Sequence, residues 1–185
     1  MDLQDVIRAR RAVRQFTDKP VDEATLHQLI DAAIQAPSAV NEQPWSFVIV
    51  REQTMLDRIS HDAKAYLLRT TPVGLSPHIR DRLSDPQSQI FYHAPVLILI
   101  ASVIDSPWAV EDCALAAENM MLAARAAGLG TCWIGLAQKW LATPQGKAVL
   151  ELPPDCLPVA PIIVGHPAAW PPAVPRSEPR IHWVG

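Results

Sequence analysis

The chain has 185 residues, of which 49% are hydrophobic and 19% are charged, and its formal net charge is −3. A chain of this length and composition can bury one sizeable core, so we expect a single globular domain over residues 1–185. The charge balance gives no basic footprint for nucleic acid. No apolar run reaches the ~20 residues that a membrane helix needs, and Met1 leads directly into a helical pattern. We therefore expect a cytoplasmic protein that binds neither nucleic acid nor membranes.

Cys113, Cys132 and Cys156 are odd in number, far apart in the sequence and form no CxxC pair. This arrangement argues against a disulfide framework and against a structural zinc site. We expect three core thiols and no bound metal.

The first half of the chain predicts three helices and one strand. Asp2 can cap a first helix that runs into Arg10. A second helix follows Asp22, carries its apolar residues on one face and stops at Pro37. The remaining assignments are, in chain order, a buried strand over 45–50, a helix over 56–67 and an irregular stretch over 70–89 that the pattern does not assign.

The second half predicts three strands, a long helix, a short helix and an extended tail. The helix over 109–127 is apolar around most of its circumference, so we expect it to be buried nearly all round, in a monomer core or in a dimer interface. Five prolines between 167 and 185 keep the tail out of helices and inner strands. The other elements are strands over 95–100, 131–136 and 159–164 and a short helix over 143–150. Four strands among five helices indicate an α+β or α/β layered fold.

Three segments could carry chemistry. Arg10 and Arg14 bracket a turn and can converge on one dianionic phosphate, although arginines at a helix C-terminus are also favoured by the helix dipole alone. The polar loop over 36–45 offers Ser38 and Asn41 as hydrogen-bond donors, and its alternative interpretation is a simple turn. Glycines over 128–136 permit close approach to the backbone, and helix capping would also explain them.

Taken together and in order, the motifs RRxxR, PSxxNxQPW, GLGTCW and VGHP…PPxVPR resemble the nitroreductase family of flavoproteins. The resemblance covers nearly the whole chain. It implies an α+β, three-layer fold with a central, mostly antiparallel sheet of four to five strands flanked by helices. It also implies an obligate homodimer with FMN at the subunit interface and the C-terminal tail extended over the partner.

The resemblance also implies roles for particular residues. Arg10, Arg14 and Arg176 would hold the FMN phosphate or ribityl side, and Arg11 would contribute through backbone or charge. Ser38 and Asn41 of the partner subunit would meet the edge of the flavin ring, and backbone N–H groups near Gly135 and Leu136 would point at flavin N5. The full set of expected cofactor-binding residues is Arg10, Arg11, Ala12, Arg14, Pro37, Ser38, Ala39, Asn41, Gln43, Trp133, Ile134, Gly135, Leu136 and Arg176.

Two of these residues depart from the family pattern, because many relatives carry Ser where this chain has Ala12 and Ala39. Each missing hydroxyl costs about 0.5–1.5 kcal/mol of affinity, which is small beside three arginines on a phosphate. We expect Trp45 and Trp133 to pack in the core and not to stack on substrate. No side chain is expected to act as a catalytic nucleophile, since hydride transfer needs only access to the flavin.

The resemblance implies hydride transfer from NADPH or NADH to a small electron-poor acceptor such as a nitroaromatic or a quinone. Three alternatives stay open at this point. The same FMN site could serve dehalogenation, dehydrogenation or flavin destruction; the protein could bind flavin without catalysis; or the Pro-rich tail could be a peptide ligand for an aromatic groove.

Overall fold

The computed structural model describes residues 2–71 and 75–185 of the chain. Its helices are α1 (Leu3–Ala9), α2 (Glu23–Ala33), α3 (Gln53–Thr70), α4 (Pro77–Ser84), α5 (Ala109–Ala126), α6 (Gly135–Leu141) and α7 (Pro144–Val149). Its strands are β1 (Trp45–Val50), β2 (Val96–Ser102), β3 (Gly130–Trp133) and β4 (Leu157–Gly165).

The four strands form one sheet in the order β1-β2-β4-β3, and every neighbouring pair is antiparallel. All seven residues of β2 are buried. Alternate residues of a strand point to opposite faces, so Leu97 and Leu99 enter one apolar core while Ile98 and Ile100 enter another. Helices α3 and α6 cover the first face, and α2 and α5 cover the second. The fold is therefore α+β, with an antiparallel four-stranded sheet flanked by helices, as the resemblance implied.

Aspartates cap the first two helices, and the cap at Asp2 was predicted from the sequence. Asp2 accepts a hydrogen bond from the backbone N–H of Asp5 at 2.8 Å, and Asp22 accepts one from Thr25 at 2.8 Å. Each cap satisfies one of the donors that a helix N-terminus leaves free. Helix α2 ends at Ala33, earlier than the predicted stop at Pro37.

The predicted strand over 131–136 is wrong at its C-terminal end. Strand β3 stops at Trp133, and Gly135 begins α6. The sequence pattern does not show this break, because apolar residues continue after the strand. Ala137, Trp140 and Leu141 are buried, but at the spacing of a helix. The short helix expected over 143–150 is confirmed as α7.

The stretch over 70–89 contains helix α4, which the sequence pattern did not assign. Ser76 caps it by accepting from the N–H of Ile79 at 3.4 Å, and Pro77 takes the first helical position, where no N–H is needed. Residues 72–74 of that stretch lie outside the described residues.

Helix α5 is not buried all round within one chain. Val110 is 50% exposed and Leu115 is 46% exposed, whereas Cys113 and Met120 are fully buried. The three cysteines are buried and free, which confirms them as core thiols. Burial raises the pKa of Cys113 to about 12, with the Asp112 carboxylate adding to the effect.

Beyond Gly165 the chain continues without helix or strand to residue 185, as its prolines predict. Within the described residues, none of the helices is long and apolar enough to cross a bilayer. The same residues contain no group of His, Cys, Asp and Glu side chains placed to hold a metal ion.

Candidate functional site

The arginine turn over 10–14 is fixed against the free edge of β3. The N–H of Val13 donates to the carbonyl oxygen of Thr131 at 2.9 Å, and Ala12 pairs with Thr131 as a parallel bridge. Val13 is fully buried, and a Cβ built on Gly130 would lie 2.7 Å from the Val13 Cβ. Gly130 is therefore required for the turn to approach β3 this closely.

The three arginines of the turn have different partners. The Nε of Arg10 lies 3.5 Å from an oxygen of Glu118, and the guanidinium carbon of Arg14 lies 5.8 Å from the ring centre of Tyr92. Arg11 turns elsewhere, since its guanidinium donates to the carbonyl oxygens of Arg8 at 2.6 Å and Pro172 at 3.2 Å. The Arg11 side chain thus fastens the beginning of the tail, which the sequence did not predict.

The polar loop over 37–43 is held by two hydrogen bonds within the loop and by one to Asp112 of α5. The N–H of Gln43 donates to Ser38 Oγ at 2.9 Å, the Gln43 amide donates to Asn41 Oδ1 at 3.1 Å, and the N–H of Ala39 donates to Asp112 Oδ1 at 3.0 Å. Val40, Asn41 and Gln43 have φ values of 44°, 59° and 50°. Strained backbone of this kind persists where surrounding contacts fix it, and it concentrates at binding sites. Pro37, Asn41 and Gln43 are exposed, while Ser38 and Ala39 are half-buried.

The segment over 133–136 joins β3 to α6. Trp133 is half-buried against the core, which agrees with its predicted packing role, and Ile134 is buried. The N–H groups of Gly135 and Leu136 belong to the first turn of α6, where an α-helix offers no acceptor of its own. A Cβ built on Gly135 would meet no atom of residues 2–71 and 75–185 within 4 Å. The backbone of Gly135 is therefore open to a close neighbour.

A cleft of about 620 Å³ brings the arginine turn and the tail together. The turn contributes Ala12 and Arg14, the loop before β2 contributes Tyr92, and the tail contributes residues 169–172. The Arg125 guanidinium holds the tail by stacking 3.6 Å from the Trp170 ring centre. A cleft of similar size, about 660 Å³, lies between α3, α6 and α7 but contains none of the predicted site residues.

Arg176 is exposed and has no hydrogen bond or ion pair within residues 2–71 and 75–185. Its predicted place beside Arg10 and Arg14 stays a prediction. Ala12 and Ala39 stand where many relatives carry Ser. Each can offer a ligand only its backbone polar groups.

The sequence motifs did not identify three residues that lie near the site. Arg82 lies over the Tyr92 ring at 4.2 Å, and Asp112 anchors the polar loop. An acidic residue in the first turn of α5 was a usable signal for Asp112. Arg82 and Tyr92 gave no such signal, because α4 and the turn after it have no clear periodicity.

The buried Cys132 thiol reports the local charge. Its pKa is raised because burial dominates, while the positive charges of Arg14, Arg82 and Arg10, in that order, oppose the rise. The charges of three guanidinium groups therefore reach Cys132 in β3, and Arg14 and Arg82 also meet at the Tyr92 ring, so the positive potential here favours an anion.

The structure is that of an α+β protein with a cleft between the arginine turn and the tail, and Arg14 gives this cleft a cationic side. The sequence profile of the nitroreductase family matches residues 7–166. A protein of Methanothermobacter thermautotrophicus, provisionally named an NADH dehydrogenase/NAD(P)H nitroreductase, is 30% identical over 188 residues, which cover 98% of this chain and 86% of that protein. The chain belongs to the nitroreductase family, and it is an oxidoreductase of that family.

Two further similarities show what relatives of this chain bind or do. The crystal structure of a nitroreductase from Bacteroides fragilis with bound FMN superposes with a TM-score of 0.87 at 26% identity and covers 100% of both chains. An iodotyrosine deiodinase from Thermotoga neapolitana is 28% identical over 133 residues, or 70% of this chain and 71% of that protein.

Proposed function

We propose that this protein is an FMN-dependent oxidoreductase that takes hydride from NADPH or NADH and passes it to a small electron-poor acceptor. The observation that carries the proposal is the arginine turn, which is locked to β3 beside an open helix N-terminus in a chain similar over its whole length to an FMN-bound nitroreductase.

The cleft and the segment between β3 and α6 offer groups that fit FMN in charge and in shape. Arg14 forms no ion pair with a carboxylate among residues 2–71 and 75–185, so its guanidinium is available to an anion. The open side of Gly135 admits a flat ring against the backbone. The volume of about 620 Å³ between the turn and the tail falls within the usual range for cofactor sites.

Each part of the site has a distinct role in the proposal. Arg10, Arg14 and Arg176 hold the phosphate end through charge-assisted hydrogen bonds. The N–H groups of Gly135 and Leu136 stabilise negative charge at the ring edge. FMN bound here would supply the redox chemistry of hydride transfer between the nicotinamide and the acceptor. The protein orients both reactants and needs no side-chain nucleophile.

The proposal includes a homodimer in which the polar loop of one subunit completes the site of the other. Helix α5 exposes Val110 and Leu115, and α1 exposes Leu3 at 66% and Ile7 at 47%. Apolar side chains exposed at this density on two helices that pack together are typical of an interface. The distal tail, with Trp183 at 91% exposed, would extend over the partner.

The dimer has a test of its own. Arg14→Gln removes the phosphate side of the site, and Asn41→Ala removes the loop side. Mixed dimers of the two variants contain one site with both defects and one site with neither. We expect each variant alone to bind FMN poorly and the mixed dimer to regain one FMN per dimer. Mixed dimers that bind no better than either parent would contradict a shared site.

The acceptor is a nitroaromatic or a quinone in this proposal. The similarity to an iodotyrosine deiodinase supports a second candidate, which is reductive dehalogenation at the same flavin. The two can be separated by NADPH or NADH consumption with nitrobenzene, benzoquinone or 3-iodotyrosine as acceptor. Turnover of the nitro compound or the quinone that depends on FMN supports the first, and release of iodide alone supports the second.

The function itself is tested with the same assay on Arg10→Gln and on Arg58→Gln. Arg58 lines the other cleft, so its substitution controls for loss of surface charge. We expect turnover to fall in Arg10→Gln and to be recovered in part by excess FMN, with Arg58→Gln unchanged. FMN-independent turnover, or no turnover with any acceptor, would contradict the proposal.

A further inference from the structure

Two guanidinium groups share the ring of Tyr92. The guanidinium carbon of Arg82 lies 4.2 Å from the ring centre and that of Arg14 lies 5.8 Å from it. The two charges are therefore within about 10 Å of each other, which is about one screening length at 0.1 M ionic strength. Arg82 comes from α4, which the predicted cofactor site does not include.

The loop that leads to Tyr92 is held by α3. The buried ammonium of Lys64 donates to the carbonyl oxygens of Asp85 at 2.6 Å and Ser88 at 2.5 Å, and Ser60 Oγ accepts from the N–H of Ile90 at 3.0 Å. Tyr92 itself has a φ of 56°, a conformation that a bulky residue adopts only when its surroundings impose it. The ring is thus preformed, and both arginines lie near it.

The charge of this pair is uncompensated. Within the part of the chain that the structure describes, neither Arg14 nor Arg82 forms an ion pair with a carboxylate. At the Cys132 thiol, the charge of Arg82 acts more strongly than that of Arg10, a residue of the predicted site. Tyr92 and Arg14 both line the cleft between the turn and the tail. An anion in this cleft would relieve the repulsion between the two cations.

We propose that Arg82 is a further phosphate-binding residue of the cofactor site, and that Tyr92 positions it beside Arg14. The inference rests on the proposed FMN site and adds a cation from α4 to it. A guanidinium stacked on an aromatic ring keeps its forked N–H donors in plane and free for the two oxygens of a phosphate. FMN carries that phosphate and riboflavin does not, so the two flavins distinguish this role from general support of the fold.

The test compares dissociation constants for FMN and riboflavin by quenching of flavin fluorescence. Arg82→Gln should weaken FMN binding about tenfold or more, as expected for a lost hydrogen bond to a charged group, and change riboflavin binding by less than about twofold. Arg82→Lys should keep part of the preference for FMN, because it keeps the charge. Arg69→Gln is the matched control, since Arg69 also lies over a tyrosine ring, that of Tyr66 at 5.9 Å, away from the cleft.

The role of Tyr92 is tested in the same way. Tyr92→Phe should keep the ratio of the two dissociation constants, whereas Tyr92→Leu should lower the preference for FMN. A merely structural role would weaken both flavins together or lower the melting temperature in parallel. If the wild type binds FMN, the inference is overturned when Arg82→Gln changes the two dissociation constants equally. It is also overturned when Arg82→Gln changes neither dissociation constant. A wild-type protein that binds no FMN overturns the proposed function instead.

Discussion

Replacing Gly130 by alanine should damage the arginine turn directly. The new Cβ would lie 2.7 Å from both the Cβ and the Cγ2 of Val13 and 2.9 Å from its Cγ1. Favourable carbon contacts begin near 3.5 Å, so the turn must retreat by about 1 Å. Because Val13 is fully buried and hydrogen-bonded to Thr131, this movement cannot be absorbed by a flexible side chain. Overpacking of this kind costs about 1–3 kcal/mol of unfolding free energy.

The assay is urea unfolding of wild type, Gly130→Ala, Val13→Ala and the double variant. Val13→Ala removes both Cγ atoms but keeps the Cβ. The clash with the new Cβ at position 130 should therefore be relieved only in part in the double variant. We expect the double variant to be more stable than the sum of the single losses predicts, by about 0.5 kcal/mol or more. FMN affinity should fall in Gly130→Ala and recover in part in the double variant. Strict additivity, or full stability of Gly130→Ala, would refute the close approach of the turn to β3.

Three other substitutions test the proposed flavin contact at Gly135, the cap at Asp22 and the buried thiol of Cys113. Gly135→Ala should leave the melting temperature unchanged or raise it, since the new Cβ meets no atom of the described residues within 4 Å. The same substitution should raise the FMN dissociation constant, and unaltered binding would remove Gly135 from the proposed site. Asp22→Ala should lower the melting temperature at pH 7, because the Thr25 backbone and hydroxyl lower the pKa of Asp22 from 3.8. That stabilisation is present above pH 3.8 and disappears as the pH falls through the lowered pKa, so a difference that persists in acid would contradict the cap. Cys113→Ala should lose less unfolding free energy than wild type between pH 9 and pH 12, because the thiol stays protonated up to about pH 12 when folded but ionises near 9.0 when unfolded. Parallel pH profiles for the two proteins would count against a buried neutral thiol.

The elements with a strong local pattern were predictable from the sequence. Helix α2 has a one-sided apolar stripe and a capping Asp22, and β2 is a continuous apolar run bounded by Pro95. The apolar face of each element is formed by residues that lie close together in the sequence. The local pattern therefore predicts both elements correctly. Helix α4 was missed because its residues are mostly polar, and only Leu83 is buried.

The candidate site was predictable as motifs but not as geometry. The sequence singled out the arginine turn, the polar loop and the glycines around β3. It did not reveal that β3 gives way to α6 at Gly135, because the run continues in apolar residues. The contact of Arg82 with Tyr92 depends on how Lys64 holds the preceding loop, which is a long-range arrangement that no local pattern encodes.

Reduction of the bound flavin by a nicotinamide is the most direct test of the proposed oxidoreductase. The purified protein is loaded with FMN, freed of oxygen, and its visible absorbance is recorded before and after addition of NADPH or NADH. Arg10→Ala and Arg14→Ala are measured in parallel. We expect a flavin spectrum that bleaches with the nicotinamide in wild type and that is weak or absent in both variants. A protein that shows no flavin spectrum after FMN is added, or whose bound flavin neither nicotinamide reduces, would contradict the central claim.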